Sequence, residues 1–242
     1  MSTAVTGAPA PTRLNRGSRA KEARVTGIVP EESLTAQTYR TLRRRIILGH
    51  YPPGSRLVES ALASELNVSR LPIREAVPQL ENEGFVRTLP RRSSRVSQWT
   101  AADVTELFDV RLSLETLAAR LAARRVAEGV SPAPLHEAIA AEHRALDSED
   151  WLLVAETSTV VHEAIAGLAG SALLASLMRA VSGRMTWLFY LTSARDQHQQ
   201  SDEHQGLLEA ILAGNDRLAE SIAFTHIEKG RAPSLRLMTG GD

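Results

Sequence analysis

Ala63-Ser64-Glu65-Leu66-Asn67-Val68-Ser69-Arg70-Leu71-Pro72-Ile73-Arg74-Glu75-Ala76 is the stretch on which the fold turns. Leu62 and Leu66 share one face of a short helix beginning near Ser60. Asn67 tolerates the left-handed backbone that ends a helix, and Val68 can plug the turn into a core. Ser69 is a residue type that caps the next helix. Pro72 falls in that helix's first turn, where a missing N–H costs nothing. Ile73, Ala76, Val77 and Leu80 follow at i, i+3, i+4 and i+7, and Gly84 closes the helix. Two short helices joined by a tight turn, the second with Arg70 and Arg74 near its start, describe a helix-turn-helix.

Working outward, Tyr39, Leu42 and Ile46 recur at helical spacing between Ser33 and Leu48, and Gly49 with Pro52, Pro53 and Gly54 ends that helix. Arg43, Arg44 and Arg45 crowd its C-terminus, where they suit the helix dipole and could reach a DNA backbone. On the other side, Phe85-Val86-Arg87-Thr88-Leu89 reads as a strand, Pro90-Arg91-Arg92-Ser93 as a turn and Ser94-Arg95-Val96-Ser97 as the return strand. This hairpin is a wing with two arginines at its tip. Residues 1–30 carry Gly and Pro, basic side chains and few large apolar ones, and read as a flexible basic tail. Pro78 inside the third helix deletes a backbone hydrogen bond and crowds the Arg74 carbonyl, so a kink in the helix's later half is expected.

In order and spacing, Gly54-Ser55-Arg56-Leu57, the stretch from Ala63 to Ala76, and Leu80-Glu81-Asn82-Glu83-Gly84-Phe85-Val86 resemble the DNA-binding domain of the GntR family across residues 33–99. The resemblance implies that Ser69, Arg70 and Leu71 enter the major groove. Arg70 would grip guanine with its planar fork, and Arg74 would meet phosphate or base one turn later. It implies that Arg91 and Arg92 meet phosphate or the minor groove. A salt bridge within the domain is the alternative for Arg74. Glu75, Glu81 and Glu83 read as structural or solvated.

The remaining chain looks wholly helical. Segments of about 102–128, 132–147, 150–169, 171–194, 197–213 and 215–237 are rich in Ala, Leu, Glu and Arg. Gly129, Ser131-Pro132, Gly170 and Gly214-Asn215 separate them. The fold expected is mainly α: a winged helix-turn-helix over residues 31–99, then an antiparallel helical bundle over residues 100–240. Charge divides at the same place. Residues 1–100 hold 16 Lys+Arg against 8 Asp+Glu, and residues 101–242 hold 12 against 20, within a chain of zero formal net charge. One half suits a polyanion and the other does not. There are no cysteines, which excludes disulfides and cysteine-bound zinc. No apolar run is long enough for a membrane span and the N-terminus lacks a signal core, so a cytoplasmic protein is expected.

Within the bundle, Leu107 through Glu115, then His162-Glu163-Ala164-Ile165, then Glu203-His204 with Leu208 through Gly214, and finally His226-Ile227 are similar to the ligand-binding domain of the FadR-like subgroup, in its FCD form. That resemblance implies a divalent metal held by an aspartate four residues before a first histidine, and by two later histidines. His162, His204 and His226 match the histidines, but Ser158 stands at the aspartate position. Three neutral imidazoles can still hold zinc or nickel, with water or an effector carboxylate completing the shell. The alternative is three polar core histidines lining an effector pocket. Arg111 is read either as a clamp for an anionic effector or as the partner of an internal acid, with Arg184 a second candidate clamp.

The function expected is a homodimeric DNA-binding regulator of a palindromic operator, switched by a small organic acid, with a joint near Gln98-Trp99-Thr100. A three-histidine metalloenzyme with an accessory DNA-binding domain is the rival. Glu163 is its nearest base, but adjacent helix residues point about 100° apart, which turns it from the His162 site. A nonspecific architectural DNA binder would leave the bundle without a purpose.

Overall fold

The computed structural model describes residues 32–88, 94–193 and 196–239. Residues 33–242 form one compact unit. The expected basic tail and the wing-tip Arg91 and Arg92 lie outside the described residues.

The first helix, α1 (Leu34–Ile47), starts where the Ser33 hydroxyl accepts the Ala36 N–H at 3.2 Å, and buries Leu42, Ile46 and Ile47. Next come α2 (Glu59–Glu65) and α3 (Arg70–Asn82). The turn between them depends on Asn67, whose φ of 53° is left-handed, as its residue type suggests. Ile73, Ala76 and Leu80 of α3 are fully buried against α1 and α2. Helical backbone runs through Pro78 to Asn82, with the proline on the exposed side. Ser69 occupies the cap position of α3, but its side chain makes no capping bond, contrary to expectation. It remains exposed. Strands β1 (Val86–Thr88) and β2 (Ser94–Val96) pair antiparallel with Val86 opposite Val96. The Gly54–Leu57 segment lies along β2, with Leu57 N–H donating to the Ser94 carbonyl at 2.8 Å.

The bundle comprises α4 (Ala101–Ala127), α5 (Ala133–Ser148), α6 (Trp151–Leu168), α7 (Ala172–Leu191), α8 (Gln197–Leu212) and α9 (Asp216–Thr239). A reciprocal box begins α4: Asp103 N–H donates to Thr100 Oγ1 at 3.2 Å, and Thr100 N–H to Asp103 Oδ2 at 2.9 Å. Asp150, Ser171 and Asp196 cap α6, α7 and α8. Helix α4 is central, packing on α9, α6, α8 and α7. Its buried stripe is Val104, Leu107, Phe108, Arg111, Glu115, Ala118, Ala119, Ala122 and Ala123, so one ion pair interrupts an otherwise apolar face. Among the described residues no helix is long and apolar enough to cross a membrane.

Helix α7 joins the two halves. Trp187, 2% exposed, belongs to the core of the winged helix and stacks on Phe85 with ring centroids 5.4 Å apart. Gly183 permits the approach: a Cβ there would lie 2.8 Å from the Phe85 ring and 2.6 Å from the Glu83 carboxylate. Arg43 of α1 crosses the same seam to Glu156 of α6 at 3.0 Å.

Candidate functional site

The N-terminal turn of α3 is open on one side. Leu71 is 63% exposed, and the side chains of Arg70 and Arg74 are each 61% exposed. Both guanidiniums turn to one acid, Glu59 of α2, at 3.7 Å from Arg70 Nη2 and 2.9 Å from Arg74 Nε. Exposed pairs of this kind hold by at most about 1 kcal/mol, so a phosphate or guanine can replace Glu59. The expected alternative for Arg74, a salt bridge within the domain, is thus present together with its exposure. The three arginines of α1 divide. Arg43 is taken by Glu156 and Glu83, and Arg45 by Glu65, while Arg44 is exposed without an ion pair among the described residues. Glu83 also accepts the Tyr39 hydroxyl, Glu81 accepts the Thr88 N–H at 2.8 Å, and Glu75 accepts the Thr35 hydroxyl at 2.5 Å. All three acids are structural.

The bundle brings together the three expected histidines, from α6, α8 and α9. His162, His204 and His226 are buried, with ligand nitrogens within 4.8 Å of one another. Each Nδ1 is held by a different carboxylate. His162 Nδ1 lies 2.6 Å from Glu115 of α4, His204 Nδ1 2.9 Å from Glu142 of α5, and His226 Nδ1 2.8 Å from Glu203 of α8. Burial opposes the charge on Glu115, but the Arg111 guanidinium and His162 outweigh it and hold the carboxyl far below its usual range. Glu142 is likewise lowered against burial by His204, and Glu203 is lowered to about 2 by His226 and Lys229. Burial pushes His162 down, and it pushes His226 down to about 3.

These directions fix the proton positions at two of the histidines. An ionised carboxylate only accepts, so the Nδ1 of neutral His162 and His226 must donate, leaving each Nε2 a bare lone pair. At His204 the Nδ1 contact with Glu142 holds the ring in place. His204 Nε2 and His226 Nε2 then face each other at 3.2 Å, and His162 Nε2 is buried with no partner. The lone pair on His226 and the unsatisfied one on His162, with His204 Nε2 beside them, present three converging nitrogens that could hold a cation. Two nitrogens on a tetrahedral zinc would be about 3.3 Å apart. The donor set fits a divalent ion. Carboxylates that grip the far nitrogens of ligating histidines both orient the rings and raise their basicity.

Glu115, Glu142, Glu203 and Glu59 were not singled out from sequence. A signal existed for Glu142: it sits on the buried stripe Leu135, Ala138, Ile139, Ala145 and Leu146, where an acid needs a reason. Ser158 is buried and lies near enough to Glu142 to help lower its carboxyl, so a carboxylate from α5 approaches the position where the aspartate is absent. Arg111, 2% exposed, forks onto Glu115 at 2.6 and 3.4 Å and lies over the rings of Phe108 and Phe189. Of its two expected roles, the structure shows the internal ion pair. Arg184 is not brought to the histidines; it lines a cleft with Gly84 and Trp99. Glu163 lines another cleft, with Arg40 and Arg179. The cavity beside His162 and His226 measures about 10 Å³, room for one water-sized body but not for an organic acid.

Comparison with known proteins gives the same two halves. Residues 34–96 match the family of bacterial regulatory proteins described as gntR, and residues 106–229 match the FCD domain. The uncharacterised HTH-type transcriptional regulator YdhC of Bacillus subtilis is 27% identical over 78% of this chain and 86% of its own length. The HTH-type transcriptional repressor GlaR of Escherichia coli is 29% identical over 78% of this chain and 90% of its own. A crystal structure of a GntR regulator from Rhodococcus sp. RHA1 superimposes with a TM-score of 0.66 at 28% identity, covering 83% of this chain and 97% of that one. These relatives are regulators, not enzymes. The chain belongs to the GntR family of transcription regulators, in the FadR-like subgroup whose C-terminal domain is an FCD domain.

Proposed function

We propose that this regulator reads a palindromic operator as a homodimer, and that a divalent ion, zinc or nickel, on His162, His204 and His226 sets the state in which it does so. Residues 31–99 would read DNA through Ser69, Arg70, Leu71, Arg74 and the wing arginines Arg91 and Arg92. Residues 100–240 would pair the protomers and bind the effector. One observation carries the link between the halves. Helix α7 places Trp187 in the winged-helix core and, two residues on, Phe189 against His162, with ring centroids 5.7 Å apart. A change at the histidines therefore acts on the same helix that seats the DNA-reading half. It alters DNA affinity only as far as the ligand prefers one arrangement over the other.

The effector in this reading is a small organic acid whose carboxylate completes the ion's shell near Ser158. The cavity of about 10 Å³ must widen to admit it, and that widening is the displacement Phe189 would feel. The ion supplies a positive anchor for that carboxylate. The chain's own residues orient the three imidazoles, exclude water and keep Arg111 on Glu115.

Operator sequences selected from a random duplex pool provide the test. Fluorescence anisotropy should show binding that weakens steeply with salt, because many phosphates are neutralised. Affinity should differ between metal-loaded and chelator-treated protein. Identical affinity in the two forms, or a flat salt response, overturns the reading.

A further inference from the structure

A cavity of about 420 Å³ lies between the wing and the bundle, lined by Arg184 and not by the histidines. Its walls come from both sides of the seam: Trp99 from the segment after the wing, Leu107 and Val110 from α4, and Val181 and Arg184 from α7. Arg184 is half-buried. Its hydrogen bond goes to the Ala180 carbonyl on its own helix at 3.3 Å, and it has no ion pair among the described residues. The neighbouring Arg87, by contrast, is paired with Asp103 at 3.3 Å. Gly84, at φ +82°, makes room for this guanidinium: a Cβ there would lie 2.4 Å from Arg184 Cζ.

The acids around the cavity do not serve Arg184. Glu81 accepts the Thr88 N–H, Asp103 is engaged with Thr100 and Arg87, and Glu106 is exposed. A half-buried guanidinium without an ion pair asks for an anionic head. The apolar wall asks for an apolar body.

We propose that this cleft binds a small apolar carboxylate, with its head on Arg184 and its body against Trp99, Leu107, Val110 and Val181. The site is separate from the histidine centre and does not depend on an ion there. Its occupant touches both the Gln98-Trp99-Thr100 segment and helices α4 and α7, so it fastens the wing to the bundle.

3-Phenylpropanoate is a suitable probe, titrated into the intact chain and followed by tryptophan fluorescence and calorimetry. Saturable binding at or below about 1 mM is expected. The neutral 3-phenylpropanamide should bind at least roughly tenfold more weakly, as the loss of a charge-assisted hydrogen bond predicts. Arg184→Gln should weaken the carboxylate by a similar factor. Val110→Trp, which fills the cleft from its exposed edge, should weaken acid and amide alike and covers the case in which Arg184→Gln misfolds. Chelator treatment should leave binding unchanged. No saturable binding to the unaltered chain, equal affinity for acid and amide, indifference to both substitutions, or loss on chelation each overturns the proposal.

Discussion

The first turn of α3 and the histidine centre are both sites of concentrated charge, built on opposite principles. On α3, Arg70 and Arg74 keep 61% of their side chains exposed and share one exposed acid, a weak pairing another anion could replace. In the bundle, His162, His204 and His226 are 9% exposed or less, and each is pinned by its own carboxylate. A surface that must exchange partners is left loosely paired. The buried histidine cluster is dehydrated and pre-aligned by its carboxylates. Substitutions should therefore cost stability in the bundle and affinity on α3.

The largest effect falls on Arg111. Its guanidinium is 2% exposed and is the main charge offsetting Glu115. Arg111→Ala leaves a buried carboxylate short of its partner and should destabilise the fold by about 3–5 kcal/mol in urea titration. Removing Glu115 as well should recover part of the loss. A loss below about 1 kcal/mol in the single variant would show that the centre is as tolerant as the surface.

Next comes Glu142→Gln. It removes the carboxylate that orients His204, so divalent-ion affinity should fall by about 10–100-fold in competition with a chromophoric chelator. Ser158→Asp should move affinity the other way. Unchanged affinity in Glu142→Gln would mean that the ring positions alone set binding.

Arg70→Ala tests the opposite side of the contrast. Operator affinity should drop by about 1–3 kcal/mol, with relaxed preference at one base pair, while the melting temperature barely moves. A large fall in stability would show that the Glu59 contact is structural. Pro78→Ala isolates stability from reading on the same helix. The proline is exposed and lies beyond the first turn, so stability should rise by about 1–2 kcal/mol, the helix-interior cost of proline less its stiffening of the unfolded chain. Operator affinity should stay unchanged.

The same contrast explains what could be read from the amino-acid sequence. The winged helix is local. Its turn residues, caps and apolar spacing lie within a few residues of one another, so Asn67, Val68, Pro72 and Gly84 announce it in order. Most helices of the bundle were legible for the same reason, since Gly129, Pro132, Gly170 and Gly214 mark breaks between them. The histidine centre is non-local. Periodicity places His162, His204 and His226 on helices but does not say which acid faces which ring. Glu203 adjoins His204 in sequence yet pairs with His226, because successive helical side chains diverge. Arg111 and Glu115 share a helix face at i and i+4, which was visible, but whether the arginine served a ligand or its neighbour needed the fold. Arg184 needed the fold for a related reason: its helix runs along two sites, and only tertiary packing shows which of them it meets.

The smallest effect is the sharpest test of how loose the α3 surface is. Glu59 places one carboxylate oxygen 2.9 Å from Arg74 and 3.7 Å from Arg70. If it only occupies the arginines between encounters, Glu59→Gln frees two cations and removes an anion that repels phosphate. Operator affinity should then rise a few-fold, worth under about 1 kcal/mol, with a similarly small change in stability. If it instead aligns both guanidiniums for the bases, freeing them costs conformational entropy on binding and affinity falls. A fall would make the DNA-reading turn a pre-aligned site like the histidine centre. The difference between the two regions would then lie only in what they exclude, water in one case and nothing in the other.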